Sequence, residues 1–140
     1  MWQRKGYHFW TQIIESNVQF YQEITWNRGN TPAIDKRLLF QFTERIEWLC
    51  KEKPNVYKSQ AKHKSDIWSI KPNSDKNHPA SFPLELAENA ILLTTQPGDI
   101  VLDPFAGSGT TLLAAKQLGR NSIGIEISKK YCELIEQRVL

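Results

Sequence analysis

From Pro83 onward the apolar positions recur with a clear period. Leu84, Ala87, Ala90, Ile91 and Thr94 fall on one face of a helix that Pro83 opens and that runs to about Thr95. Pro97-Gly98 marks a turn, and residues 99–103 read as a short apolar strand. A small-residue loop follows, then a helix that runs to Leu118, with Gly119 at its C-terminal cap. Residues 121–126, built around Ser122-Ile123-Gly124-Ile125, read as another strand. Ser128 caps a last helix with Tyr131, Leu134 and Ile135 turned inward. Helix, strand, helix, strand, helix is the order of a parallel α/β sheet.

The first half is patterned differently. Trp10, Ile13 and Ile14 stand at i, i+3 and i+4, which predicts a short amphipathic helix over 9–17 ended by Asn17. Residues 18–26 are rich in aromatic and β-branched side chains and predict a strand. A loop with Gly29, Asn30 and Pro32 follows over 27–36. Residues 38–50 carry two readings: Phe40 and Phe42 alternate as in a strand, while Ile46, Leu49 and Cys50 also suit a helix. A strand paired with the previous one is favoured. Residues 51–77 carry seven lysines against three acids, a balance of +4, and read as a long polar loop broken only by Ile67-Trp68-Ser69-Ile70. Both a functional loop and a solvated connector fit that composition.

Composition changes this picture little. At 140 residues, 40% hydrophobic and 24% charged, the chain has the size and balance of one globular domain. Its net charge of +3 does not by itself argue for nucleic acid. Cys50 and Cys132 stand far apart without metal spacing and read as reduced thiols of a cytosolic protein. No run is long enough to span a bilayer, and no metal is expected.

The chemistry concentrates in Asp103-Pro104-Phe105-Ala106-Gly107-Ser108-Gly109-Thr110. Gly107 and Gly109 lack a Cβ and let the backbone approach a ligand. The helix that starts near Thr110 offers free N–H groups and the positive end of its dipole to an anion. Glu126 stands 23 residues after Asp103, where an acid can accept hydrogen bonds from two ribose hydroxyls. These features imply a nucleoside-containing cofactor. A phosphate loop would need a lysine after Gly109, and a dinucleotide fingerprint would need a third glycine where Leu112 stands. S-adenosylmethionine fits best, because it brings a carboxylate, an ammonium and a ribose but no pyrophosphate. A Gly-rich turn with no ligand is the bland alternative; Asp103 and Glu126 in their strand–loop–helix setting count against it.

Three segments carry a family resemblance: the loop 103–111, the segment Asn77-His78-Pro79-Ala80-Ser81-Phe82-Pro83, and, more weakly, residues 23–32 with 42–48. In these the chain resembles the bacterial DNA methyltransferases that modify the exocyclic amino group of adenine or cytosine, in the permuted (beta-type) subgroup whose cofactor loop lies in the C-terminal part. The resemblance implies a partial Rossmann-like α/β fold with an incomplete sheet, its central strands missing, and a β-hairpin at one end. It implies S-adenosylmethionine as cofactor and double-stranded DNA as partner. Asp103, Phe105, Ala106, Gly107, Ser108, Gly109 and Thr110 would form the methionine side of the pocket. Glu126 would hold the ribose, Ile127 would lie against the adenine ring, and Ser81 and Phe82 would close the pocket. His78 reads as a loop hydrogen-bonder rather than a catalyst. The implied organisation is 1–50 as helix and hairpin, 51–77 as a DNA-contact region through Lys58, Lys62, Lys64 and Trp68, and 78–140 as the cofactor-binding region.

The family's catalytic motif, a polar residue followed by Pro-Pro and an aromatic, is absent. The seven prolines stand at 32, 54, 72, 79, 83, 97 and 104, and no two are adjacent. No catalytic residue is therefore assigned. The expectation is a bacterial or phage methyltransferase portion, truncated or split, that depends on a second polypeptide for the motif. A non-catalytic module that binds S-adenosylmethionine or DNA is the alternative. A relic unable to fold alone and a NAD-dependent enzyme stand further off.

Overall fold

The computed structural model describes residues 18–29, 42–72 and 82–139. The helix expected over 9–17 and the residues Ser81 and His78 lie outside these described residues. In chain order the elements are β1 (Gln19–Asn27), β2 (Thr43–Cys50), β3 (Ile67–Ser69), α1 (Leu84–Thr94), β4 (Ile100–Asp103), α2 (Thr110–Gln117), β5 (Asn121–Gly124) and α3 (Lys129–Val139).

The strands form two small sheets, ordered β2-β1-β3 and β4-β5. β1 and β2 are antiparallel from Gln19↔Cys50 to Asn27↔Thr43, with a bulge between Phe20 and Gln22. The strand reading of residues 43–50 therefore stands, and the helical one falls. Side chains alternate as the pleat requires. Ile24 and Trp26 are buried on the inner face, with Ile46 and Trp48 packed beside them. Glu23, Arg45 and Glu47 point to the outer face and are exposed, and Arg45 reaches Glu23 at 3.3 Å.

Residues 51–72 form the expected long irregular segment, broken only by β3, and it is anchored to the hairpin and to α1. β3 lies parallel to β1, with Trp26 opposite Trp68. The Trp26 Nε1–H donates to the Ile70 carbonyl at 2.8 Å, and the Trp68 Nε1–H to the Ser65 carbonyl at 2.9 Å. The segment is also tied to α1. The Tyr57 N–H donates to the Leu93 carbonyl at 2.9 Å. Asn89, fully buried, accepts from the His63 N–H at 2.8 Å and donates to the His63 carbonyl at 3.1 Å, which satisfies a polar group that burial would otherwise penalise. Lys62 pairs with Glu88, and His63 Nε2 lies 3.0 Å from Glu85.

α1 is buried on two sides, which its sequence pattern only half reveals. Ala87 and Ile91 face α2 and pack with Ala114 and Ala115, as expected. Leu86 and Leu93 form a second stripe that packs with Ile24, Trp26, Trp68 and Ile70. Thr94, expected inward, is exposed and donates its hydroxyl to the Ala90 carbonyl at 2.8 Å. The helix thus joins the two sheets through one layer of apolar side chains, each worth about 1.5–3 kcal/mol when fully buried.

β4 and β5 are parallel, in register from Ile100↔Asn121 to Asp103↔Gly124. Their inner face meets α1 and α2, where Val101 packs against the Ala87–Ala115 cluster. Buried Arg120 locks this unit to the rest. Its guanidinium donates to the Thr95 carbonyl at 2.8 Å and hydroxyl at 3.1 Å, to the Leu118 carbonyl at 2.6 Å, and to Gln60 Oε1 at 3.2 Å. Both carbonyls lie at helix C-terminal ends, where the dipole favours a cation. Among the described residues β2 and β4 each keep one unpaired edge. An apolar trough of about 370 Å³ lies between them, with Ile46 on one side, Val101 on the other and Leu86, Ala90 and Ile91 of α1 among its walls.

Candidate cofactor site

The site lies beyond the carboxyl ends of β4 and β5, the place where open α/β sheets bind ligands. Asp103 ends β4. Its Oδ1 accepts the Phe105 N–H at 3.0 Å, and its carbonyl accepts the Ile125 N–H at 2.9 Å. The Ala106 N–H donates to the Ile125 carbonyl at 2.9 Å, so the loop after β4 is laced to the loop after β5. The Gly109 N–H closes the turn on the Ala106 carbonyl at 2.8 Å.

Gly107 and Gly109 have φ of +53° and +80°, in the left-handed region where side chains are strained. Gly109 is glycine for a second reason. A Cβ there would meet Ile135 Cγ1 of α3 at 2.9 Å. Gly124, at the end of β5, is also a point of close approach, because a Cβ would lie 2.5 Å from Leu112 Cδ1 and 3.2 Å from the Ala106 Cβ. Its position inside a strand was a legible sign of such contact.

Glu126 stands two residues past β5. Its Oε2 accepts the Gly107 N–H at 2.8 Å and its Oε1 the Ser128 N–H at 2.8 Å. The carboxylate thus braces the glycine loop and the entry to α3 at once. Each oxygen retains acceptor capacity for a further donor such as a ribose hydroxyl. α3 braces the loop from the other side, since Arg138 Nη1 donates to the Ser108 carbonyl at 2.6 Å. Neither Arg138 nor Ile135 carries a motif that would have identified it.

α2 begins at Gly109 with no side-chain cap, so its first N–H groups are left for an outside acceptor. Ala106, Ser108 and Thr110 are buried beneath the loop, while Phe105 is 88% exposed and Ile127 is fully exposed. The loop therefore offers N–H donors at the helix start, an acidic pair in Asp103 and Glu126, and two apolar side chains at the strand ends. That donor set suits a ligand with a carboxylate, an ammonium and a ribose beside a flat ring. Phe82 packs against both apolar clusters and lines the trough with Thr111.

The residues expected to touch DNA are not all available. Trp68 is 1% exposed and belongs to the core, so it cannot stack on a base; the aromatic pattern of β3 reflected packing. Lys62 is exposed but engaged by Glu88. Lys58 and Lys64 are exposed on the same segment. Among the described residues no cluster of His, Cys, Asp or Glu can hold a metal ion, and no helix is long and apolar enough to cross a membrane.

This arrangement of parallel strands, glycine loop and acidic residues is that of a methyltransferase-type α/β unit. The chain belongs to the DNA methylase family, which it matches over residues 3–137. It is 34% identical to the Type II methyltransferase M2.DpnII of Streptococcus pneumoniae over 91% of its own length and 53% of that enzyme. The chain spans about half the length of the curated relatives it matches. Among solved structures, the M1.HpyAVI–SAM complex is similar with a TM-score of 0.77 and 35% identity, over 94% of this chain and 70% of that one. The PvuII DNA methyltransferase (cytosine-N4-specific) is similar with a TM-score of 0.78 and 26% identity, over 98% of this chain and 58% of that one.

Proposed function

We propose that this chain is the S-adenosylmethionine-binding portion of a DNA methyltransferase acting on the amino group of adenine or cytosine in a bacterial cytoplasm. The observation that carries the proposal is the Asp103–Thr110 loop, braced by Glu126 and opening onto the uncapped start of α2. The N–H groups of that helix start receive the methionine carboxylate, and Asp103 faces the ammonium. Glu126 accepts the ribose hydroxyls while it holds Gly107 in place. Phe105 lies with the loop on the methionine side, Ile127 borders the adenine, and Ser81 and Phe82 close the pocket. The bound cofactor supplies an electrophilic methyl group, which the target amine takes as the sulfur departs as a neutral thioether and the amine loses a proton. A flipped base brings that amine into line.

The Pro-Pro motif that would hold the amine comes from polypeptide outside these 140 residues, in the same protein or in a second chain. Lys58 and Lys64 contact DNA phosphates, with Lys62 joining them when Glu88 releases it; such contacts position without reading sequence. The absent Pro-Pro pair also supports a second reading, a module that binds S-adenosylmethionine or DNA without catalysis. One assay separates the two: transfer of a tritiated methyl from S-adenosylmethionine to duplex DNA. The chain alone is expected to transfer none, and the chain with a complement bearing the motif is expected to transfer. Continued silence with folded complements carrying the motif favours the binding module.

A further inference from the structure

We infer that Arg138 of α3 is a positioning residue that sets affinity for the amino-acid end of the cofactor, acting through the Ser108–Gly109 peptide. The inference rests on the reading of the chain as a cofactor-binding portion, and adds to it a residue outside the loop and its two acids.

α3 meets the site on successive turns. Cys132 Sγ lies 3.5 Å from the Glu126 carbonyl, Ile135 fills the space beside Gly109, and Arg138 Nη1 donates to the Ser108 carbonyl at 2.6 Å. The first two contacts are packing, and the third brings a charge. No pairing along the helix accounts for the direction of that guanidinium, because Leu134 and Ile135, not acids, stand four and three residues before it.

The carbonyl it reaches occupies a controlling position. Ser108 is buried, and Gly109 after it is left-handed at φ +80°. The peptide between them is held at both ends, its carbonyl by Arg138 and its N–H by the Ala106 carbonyl at 2.8 Å. The Gly109 carbonyl then accepts the Leu113 N–H at 2.9 Å, the first bond of α2. The plane of the Ser108–Gly109 peptide therefore sets where the uncapped N–H groups of α2 point. Glycine tolerates either sign of φ, so Gly109 does not fix that plane by itself. The guanidinium also places positive charge behind a helix start whose dipole already favours an anion.

Both effects act on a carboxylate at the start of α2. Neither acts on the nucleoside, which rests on Glu126 and Ile127. Arg138 thus divides the cofactor into an end that depends on it and an end that does not.

The test is calorimetric titration of the full chain and its variants with two ligands. One is S-adenosylmethionine; the other is 5′-methylthioadenosine, which keeps the nucleoside and thioether but lacks the carboxylate and ammonium. Arg138→Met is expected to lower affinity for S-adenosylmethionine at least about tenfold, as for loss of a charge-assisted hydrogen bond, and to leave 5′-methylthioadenosine unchanged. Arg138→Lys, which keeps the charge and one donor, recovers most of the loss. Gln137→Met, on the exposed side of the same helix, changes neither. Equal affinity of Arg138→Met and parent for S-adenosylmethionine overturns the inference and leaves the cofactor reading standing. A parallel loss of both ligands assigns Arg138 to general packing and also overturns it. A folded parent chain that binds neither ligand overturns the cofactor reading, and this inference with it.

Discussion

Glu126 Oε2 accepts the Gly107 N–H at 2.8 Å, so the acid expected to hold a ribose also fixes the glycine loop. The partner oxygen Oε1 takes the Ser128 N–H at 2.8 Å. Glu126→Gln keeps one acceptor but turns an NH2 donor toward an N–H, and Glu126→Ala leaves two N–H groups unmatched. Each substitution is expected to cost about 1–3 kcal/mol. Affinity for S-adenosylmethionine should fall by at least about tenfold, the equivalent of roughly 1.4 kcal/mol. Thermal melting and calorimetric titration of the two variants check both effects.

Glycine substitutions separate crowding from backbone strain. Gly124→Ala places a Cβ 2.5 Å from Cδ1 of the buried Leu112 and should destabilise by about 1–3 kcal/mol through overpacking. Gly98→Ala has open space and a φ of +89°, so its cost is only the left-handed backbone term, about 1–2 kcal/mol. Cofactor affinity should fall for Gly124→Ala and hold for Gly98→Ala.

Removal of the Arg120 guanidinium strips hydrogen bonds from the ends of both helices. Arg120→Met is expected to cost about 2–4 kcal/mol, because buried carbonyls lose their donors. Arg120→Lys should recover little, since a single ammonium cannot reproduce the planar fork that spans Thr95, Leu118 and Gln60. The urea midpoint reports the difference.

Trp68 and the lysines of the same segment should behave differently. Trp68→Ala is expected to destabilise by about 3–5 kcal/mol, as for other large core truncations. Lys64→Ala and Lys58→Ala should leave the melting temperature unchanged. Each should lower the salt dependence of DNA binding by about one unit of slope. Fluorescence anisotropy with a duplex at several salt concentrations measures it.

Much of the C-terminal half was legible because local rules and the fold agree there. Pro83, the Gly-Ser-Gly loop and Gly119 punctuate α1, α2 and the turn to β5 where the sequence places them. The second buried stripe of α1 was not legible, because Leu86 and Leu93 pack with Ile24, Trp26, Trp68 and Ile70 and Asn89 bonds His63, all distant in sequence. Residues 51–72 were readable as a long irregular run broken near 67–70, but the contacts that hold them were not. Their lysines look solvated, yet the backbone at Tyr57 and His63 is pinned to α1. At the site, Asp103, the glycines and Glu126 were readable from spacing, whereas Ile135 and Arg138 enter only through the packing of α3. The two small sheets agree with the incomplete sheet that the family resemblance implied.

The central claim is that the pocket of Asp103, the glycine loop and Glu126 binds S-adenosylmethionine. Calorimetric titration of the purified chain with S-adenosylmethionine, with NAD as control, tests it most directly. Saturable binding of S-adenosylmethionine alone, lost in Glu126→Ala, is the predicted result. Binding of NAD in its place, or a folded chain that binds neither, would contradict the account.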